Sequence, residues 1–133
     1  MCAETRKTTW ITPELHDNLV ELHKLGHAHS FETFRDGELV GGLYGVSVGR
    51  VFCGESMFST ESNASKIAFV TMGKFLGKNG YLIDCQMQTP HVKALGARLI
   101  SRNHFQREVF VRSRQAPLIK GSWTASLESH QSR

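Results

Sequence analysis

Cysteine and proline are scarce in this chain, which has three of each among 133 residues. The cysteines Cys2, Cys53 and Cys85 are odd in number and far apart, so they form neither a disulfide framework nor a zinc site of recognised spacing. No apolar run approaches the roughly 20 residues that a membrane helix needs. The first residues also lack the apolar segment of a signal peptide. These absences argue against secreted and membrane-spanning classes and predict a cytoplasmic protein.

The composition that remains is that of an ordinary globular domain. Hydrophobic residues make up 40% of the chain and charged residues 21%, which predicts a single domain with one core over residues 1–133. The net charge of +4 is compatible with a polyanionic partner but does not require one. The histidines His27, His29, His91 and His104 show no metal-ligand spacing with other donors, so we expect no metal and no cofactor.

The first half of the chain predicts a helix and then a meander of strands. Thr12-Pro13 is typical of a helix start, and Gly26 of a helix end. Residues Ser30–Phe34 alternate with period two, and Asp36-Gly37 is a strong hairpin signal. The return strand and a third strand are then expected over Leu39–Val48 and Arg50–Glu55.

The second half predicts a crossover. A helix over about Ala64–Leu76 precedes a fourth strand, Tyr81–Met87, which we expect to lie centrally because most of it is apolar. Strand, helix and strand in this order imply a right-handed crossover and a parallel pair. The predicted fold class is therefore α+β, with a mixed sheet in which an antiparallel meander precedes a βαβ unit.

The pattern weakens after the fourth strand. We expect in order a short helix over Pro90–Leu95, a strand over Ala97–Ile100, a helical turn from Arg102, a strand at Val109–Val111 and a frayed end over Ser126–Arg133.

Three polar residues interrupt the predicted strands. Glu55 ends the third strand, Asp84 follows the apolar residues of the fourth, and Gln86 lies two positions further on. Residues two apart on a strand share a face, so Asp84 and Gln86 are expected to point the same way. A carboxylate that loses water here is tolerated only with partners, and chemistry is often placed at such positions. The alternative interpretation is that these residues are solvated or satisfy backbone groups at strand ends.

Several blocks of the chain recur in order in one known family. The blocks are Trp10-Ile11-Thr12, Leu25-Gly26-His27-Ala28-His29-Ser30, Leu39-Val40-Gly41-Gly42-Leu43-Tyr44-Gly45, Gly54-Glu55-Ser56-Met57-Phe58-Ser59, Ala64-Ser65-Lys66, Asp84-Cys85-Gln86 and Leu95-Gly96-Ala97. With these blocks the chain closely resembles the leucyl/phenylalanyl-tRNA–protein transferases. The match covers about residues 2–105, and residues 106–133 diverge. Several independent blocks at matching spacing are far more specific than any single motif.

The resemblance implies a GNAT-like domain, similar to acyl-CoA N-acyltransferases. It implies an aminoacyltransferase that moves Leu, Phe or Met from charged tRNA to the N-terminal Arg or Lys of an acceptor protein. Such a reaction belongs to the N-degron pathway of protein degradation. The family also carries an N-terminal domain before this region, which this chain is expected to lack.

The resemblance also assigns roles to eight residues. Glu55 would hold the α-ammonium of the aminoacyl group, Gln86 would contact the attacking amine, and Asp84 would polarise that amine. The side-chain pocket would be lined by Leu43, Phe52, Met57 and Ile83, which are otherwise most simply core residues. Trp10 would lie beside the aminoacyl or terminal adenosine group, or else pack the first helix onto the sheet.

Two other functions stay open. An acetyl-CoA-dependent N-acetyltransferase cradles pyrophosphate with a glycine-rich turn at a helix N-terminus. Here the connection Ser56–Asn63 contains no glycine and one acid, which argues against acetyl-CoA. A truncated, non-catalytic fragment or binding module of the family is the other alternative.

Overall fold

A computed structural model describes residues 11–86, 89–118 and 123 of the chain. The helices are α1 (Pro13–Lys24), α2 (Ala64–Lys78), α3 (Pro90–Ala94) and α4 (Arg102–Ser113). The strands are β1 (Ala28–Arg35), β2 (Glu38–Val48), β3 (Val51–Ser59) and β4 (Leu82–Asp84). They form one sheet in the order β1-β2-β3-β4, in which the first three are antiparallel and β4 runs parallel to β3. The predicted α+β class, the meander and the crossover are confirmed, and the arrangement is consistent with a GNAT-like fold.

Local signals account for the first elements. The Thr12 hydroxyl accepts a hydrogen bond from the Leu15 amide at 3.2 Å, so it caps α1 as predicted. Gly26 takes a φ of 84°, which ends the helix. Asp36 and Gly37 both have positive φ, as the tight turn between β1 and β2 requires.

Helix α2 covers one face of the sheet and closes the main core. The buried residues of this core are Phe31, Leu43, Phe52, Ala68, Met72, Phe75, Leu76, Tyr81 and Trp123. The helix begins against β2, where a Cβ added to Gly41 would stand 2.6 Å from the Cβ of Ala64. Helix α2 continues through Gly77 to Lys78, two residues past its predicted end at Leu76, and its Ile67 side chain is 56% exposed.

The fourth strand differs most from expectation. It comprises three residues rather than Tyr81–Met87, and among the described strands it lies at the edge of the sheet and not in the middle. The central position was predicted from the apolar residues of this strand. Hydrophobicity indicates whether the two faces of a strand are buried, but it does not indicate whether both of its edges are paired with other strands. Met87 lies outside the described residues.

Two further strands were predicted wrongly. No strand is assigned over Ala97–Ile100, and Val109–Val111 belongs to helix α4. The β-branched residues there favour a strand locally, but the Ser101 hydroxyl caps the His104 amide and starts a helix that continues past them. Arg112 then fixes that helix, because it bonds Glu108 at 2.6 Å and the Gly80 carbonyl at 2.5 Å. No helix in the described part of the chain is long and apolar enough to cross a membrane.

Trp123 completes the core from beyond α4. Its side chain is 5% exposed and stacks on the imidazole of His29 with ring centroids 3.6 Å apart. It also packs against Phe52 and Tyr81, at centroid distances of 5.6 and 5.7 Å. Burial lowers the pKa of His29 to about 4, although the bond from its Nε2 to the Gly26 carbonyl opposes the shift. The residues Ser126–Arg133, expected to fray, lie outside the described part.

The His29 imidazole should make stability depend on pH. In the unfolded chain it titrates near its ordinary value of 6.5, so between pH 6.5 and about 4 the unfolded state binds the extra proton. We therefore expect the melting temperature to fall as pH falls through this window. The change His29→Leu should flatten that fall, whereas His91→Gln, at an exposed imidazole that is not among the causes of the His29 shift, is the matched control and should keep it. Equal pH slopes in His29→Leu and the unmodified protein would contradict the assignment.

Candidate active site

Glu55 does not end β3, as predicted, but sits inside it. Tyr44 of β2 lies opposite Ser56, and the next residue, Gly45, lies opposite Gly54. Glu55 is therefore the extra residue of a β-bulge. A bulge bends its strand and re-aims a side chain away from the regular alternation. The strand then continues to Ser59.

The strands approach very closely at this bulge. A Cβ added to Gly45 would overlap the carbonyl oxygen of Cys53 and stand 2.6 Å from the ring of Phe52. No real side chain tolerates such contacts, so only glycine permits β2 to lie here. The absence of one side chain thus sets the geometry that presents Glu55.

The Glu55 carboxylate is half-buried. Within residues 11–86, 89–118 and 123, no hydrogen bond or ion pair reaches it. A partly desolvated carboxylate without a partner is costly in a folded protein. This carboxylate is therefore suited to bind a cation from outside the chain.

Asp84 and Gln86 are in contact, but not because they share a strand face. Gln86 lies beyond the end of β4 with a left-handed φ of 63°, so the prediction that the two share a strand face is wrong. Instead, the Asp84 carboxylate accepts the Gln86 backbone N–H at 2.8 Å. The Gln86 side-chain amide donates to the Gly54 carbonyl at 2.9 Å, immediately before Glu55. These two bonds orient the Gln86 side chain, and no described residue donates to its carbonyl oxygen.

Cys53 lies close to both carboxylates. Burial raises the pKa of its thiol, and the negative charges of Asp84 and Glu55 raise it further. Burial and then Asp84 raise the pKa of the Cys85 thiol in the same way. Both thiols stay protonated at neutral pH, so neither is an activated nucleophile.

The four predicted pocket residues lie together. Leu43 and Phe52 are buried in the main core, and Met57 and Ile83 pack against it from partly buried positions. Phe52 has no exposed surface, so it supports the cluster from within. Their role as a side-chain pocket stays a prediction. Trp10 lies outside the described residues.

Sequence reasoning missed several parts of this site. It did not find the bulge, the Gly54 carbonyl that holds Gln86, or the Ser56 hydroxyl, which is buried with no hydrogen-bond partner among the described residues. The available signal was a lone acid, Glu55, directly after Gly54 in an otherwise apolar strand. No group of three His, Cys, Asp or Glu residues that could hold a metal ion occurs in the described part.

The fold and this arrangement define a GNAT-like α+β domain with an acid at a bulge within β3 and an acid–amide pair at the end of the parallel strand β4. The chain belongs to the leucyl/phenylalanyl-tRNA protein transferase family, whose profile it matches over residues 1–110.

Curated relatives carry the same family name. A leucyl/phenylalanyl-tRNA–protein transferase of Chromobacterium violaceum is 58% identical over 108 residues, which cover 78% of this chain and 46% of that protein. The one from Shewanella woodyi is 46% identical over 129 residues, covering 94% of this chain and 54% of the relative. The one from Chromohalobacter salexigens is 55% identical, covering 78% and 42% respectively. The chain spans about half the length of the curated relatives it matches.

The close approach at Gly45 yields a stability test. Gly45→Ala should destabilise the fold by about 1–3 kcal/mol or more, because the new methyl group meets the Cys53 carbonyl, which is backbone and cannot rotate away. Gly77→Ala is the control, since a Cβ there meets nothing within 4 Å and should stabilise helix α2 by up to about 1 kcal/mol. Chemical denaturation measures both. Equal stability in the two variants would mean that the strands relax at the bulge.

Proposed function

We propose that this chain carries the acyl-transfer site of an aminoacyltransferase, which moves Leu, Phe or Met from charged tRNA to an N-terminal Arg or Lys of a protein. The observation that carries the proposal is the half-buried carboxylate of Glu55, which has no partner among the described residues, beside the oriented amide of Gln86. The relatives' printed name, leucyl/phenylalanyl-tRNA–protein transferase, supports the same reaction. The proposal includes a cytoplasmic setting and a role in N-degron protein degradation.

Glu55 binds the α-ammonium of the aminoacyl group. A carboxylate aimed by a bulge forms a charge-assisted hydrogen bond with the ammonium. It also discriminates against acyl groups that lack a positive charge, because they would leave the half-buried carboxylate unpaired. This contact places the ester carbonyl at the bulge of β3, next to Gln86.

Gln86 and Asp84 prepare the attacking amine. The free carbonyl oxygen of the Gln86 side chain accepts a hydrogen bond from the neutral amine and turns its lone pair toward the ester. The amine nitrogen bonds to the carbonyl carbon, the bond from that carbon to the ribose oxygen of the tRNA breaks, and the amine proton passes to that oxygen. Asp84 polarises the amine by its negative charge, and its bond to the Gln86 backbone N–H keeps that charge beside the Gln86 side chain.

The apolar residues select the side chain that is transferred. Leu43, Met57 and Ile83 present a hydrophobic surface around Phe52. One methylene is worth only about 1–3 kcal/mol in such a pocket, so shape must reject β-branched side chains. Met57 is flexible enough to pack against leucine or phenylalanine.

The start of helix α2 does not favour acetyl-CoA as the donor. Pyrophosphate would need free backbone amides at the helix N-terminus. Here the Ala64 amide bonds the Glu61 carbonyl at 3.3 Å, and the Ser65 amide bonds the Ser59 hydroxyl at 3.4 Å. Ala64 and Ser65 also lie directly against Gly41 of the sheet.

Two substitutions separate binding from chemistry. Glu55→Gln should weaken binding of an aminoacyl-adenosine analogue by roughly 10-fold or more, since a charge-assisted hydrogen bond contributes about 1.5–3 kcal/mol. Gln86→Ala should slow transfer of labelled leucine or phenylalanine to an acceptor protein by roughly 10- to 100-fold with little effect on that binding. Exposed residues supply matched controls in Glu38→Gln and Gln106→Ala.

Two outcomes would contradict this proposal. If Glu55→Gln and Gln86→Ala both keep the transfer rate of the unmodified chain, these residues are structural. If the unmodified chain transfers no amino acid from charged tRNA, the activity itself is not carried by these 133 residues.

A further inference from the structure

One row of residues across the sheet carries almost no side chains of its own. His29 of β1 lies opposite Gly45 of β2, and Gly45 lies opposite Gly54 of β3. Of these three residues only His29 has a side chain. Because protein interiors are close-packed, the space over the two glycines must be filled by side chains from other positions. The ring of Phe52 fills part of it, since a Cβ added to Gly45 would stand 2.6 Å from that ring.

Trp123 fills the space beside Phe52. Its indole stacks on the His29 imidazole with the two ring planes 7° apart, and its ring centroid lies 5.6 Å from that of Phe52. Phe31 meets the Phe52 ring edge-on, with the centroids 6.1 Å apart. Trp123 is 5% exposed and Phe52 is fully buried. The position of the Phe52 ring therefore depends on the indole that is packed against it.

Phe52 also borders the other residues of the candidate side-chain pocket. It lies opposite Ile83 in the parallel pair of β3 and β4. Leu43 and Met57 lie opposite each other in the antiparallel pair of β2 and β3. All four residues belong to the main core or pack against it. A displacement of the Phe52 ring would therefore change the depth of the apolar surface that the other three present.

We propose that Trp123 determines which acyl side chains are accepted, because it holds Phe52 and so sets the depth of the side-chain pocket. The inference rests on the proposed function and adds a specificity determinant to it. Trp123 acts through Phe52 and is therefore a positioning residue. A smaller side chain at position 123 lets Phe52 move into the space that the indole leaves, and the deeper pocket then favours a larger acyl side chain. Such a change is measurable, because one methylene group in an apolar pocket alters selectivity by about 10- to 200-fold.

Graded truncation of Trp123 tests the inference. The Kd values of non-hydrolysable leucyl- and phenylalanyl-adenosine analogues are measured for the unmodified chain, Trp123→Phe and Trp123→Leu. We expect the ratio of the leucyl Kd to the phenylalanyl Kd to rise about threefold in Trp123→Phe and about tenfold in Trp123→Leu, because the second change removes more volume behind Phe52. An equal ratio in all three proteins would overturn the inference.

Phe58 supplies the matched control. It is buried, at 9% exposure, and belongs with Ile11 to the second hydrophobic cluster of the fold. Phe58→Leu should lower the melting temperature but leave the ratio of the two Kd values unchanged, because a loss of stability alone weakens the binding of both analogues equally. If Phe58→Leu changes the ratio as much as Trp123→Leu does, the effect of Trp123 is one of stability and not of pocket depth.

Fluorine NMR follows the same contact without truncating the core, so it decides the question even if the Trp123 variants do not fold. The sequence contains two tryptophans, and labelling with 5-fluorotryptophan gives one resonance for each. Trp10→Phe removes the other signal and thereby identifies that of Trp123. Saturation with the phenylalanyl analogue should shift the Trp123 resonance more than saturation with the leucyl analogue, because the larger group presses Phe52 against the indole. A Trp123 resonance that does not move at saturation would contradict this coupling.

Failure of the inference can be distinguished from failure of the proposed function. Binding of both analogues with a constant ratio and a constant Trp123 resonance contradicts only the role of Trp123. Binding with the expected changes, but without transfer from charged tRNA, contradicts only the transfer activity. If the unmodified chain binds neither analogue, the pocket and the role of Trp123 are both wrong.

Discussion

The contact between Gly45 and the backbone of β3 is the constraint on which the candidate site depends. Because Gly45 has no side chain, β2 approaches the Cys53 carbonyl and the Phe52 ring more closely than any other residue would allow. The extra residue of the bulge is then Glu55, which leaves the regular alternation of β3. The Gly54 carbonyl beside it receives the Gln86 amide, so β4 is joined to the same point. A single missing Cβ therefore positions groups from three strands.

The sheet and α2 hold this constraint in place. Phe52 is fully buried between Gly45 and the core, and Leu43 and Met72 pack in the same cluster. Displacing Phe52 to relieve the contact would open a cavity, which a close-packed core resists. The bulge is thus kept closed by packing on the α2 side of the sheet, while the polar groups lie at the bulge itself and at the end of β4.

Local signals in the sequence predicted much of the fold. A hydroxyl cap at Thr12 and two residues able to adopt positive φ at Asp36-Gly37 act within a few residues, so they can be recognised without a partner. The edge position of β4 and the bulge at Glu55 depend on which strands pair with each other. Strand pairing is not encoded in the residues of a single segment. For Val109–Val111 a local strand preference gave way to the cap at Ser101 and to Arg112, whose partner Gly80 is 32 residues away. The candidate site was likewise predicted only in part. The family resemblance identified Asp84 and Gln86, but the alternation of side chains along a regular strand could not predict the left-handed turn at Gln86.

The stacking of Trp123 on His29 has a consequence for the order in which the chain is made. All four strands and α2 leave the ribosome before Trp123 does, since synthesis runs from the N-terminus. Until then, the space among Phe31, Phe52 and Tyr81 lacks the ring that fills it. The nascent sheet can form early, but its aromatic centre lacks this ring until Trp123 itself emerges. The core is in this sense completed only after the sheet and α2 have been made.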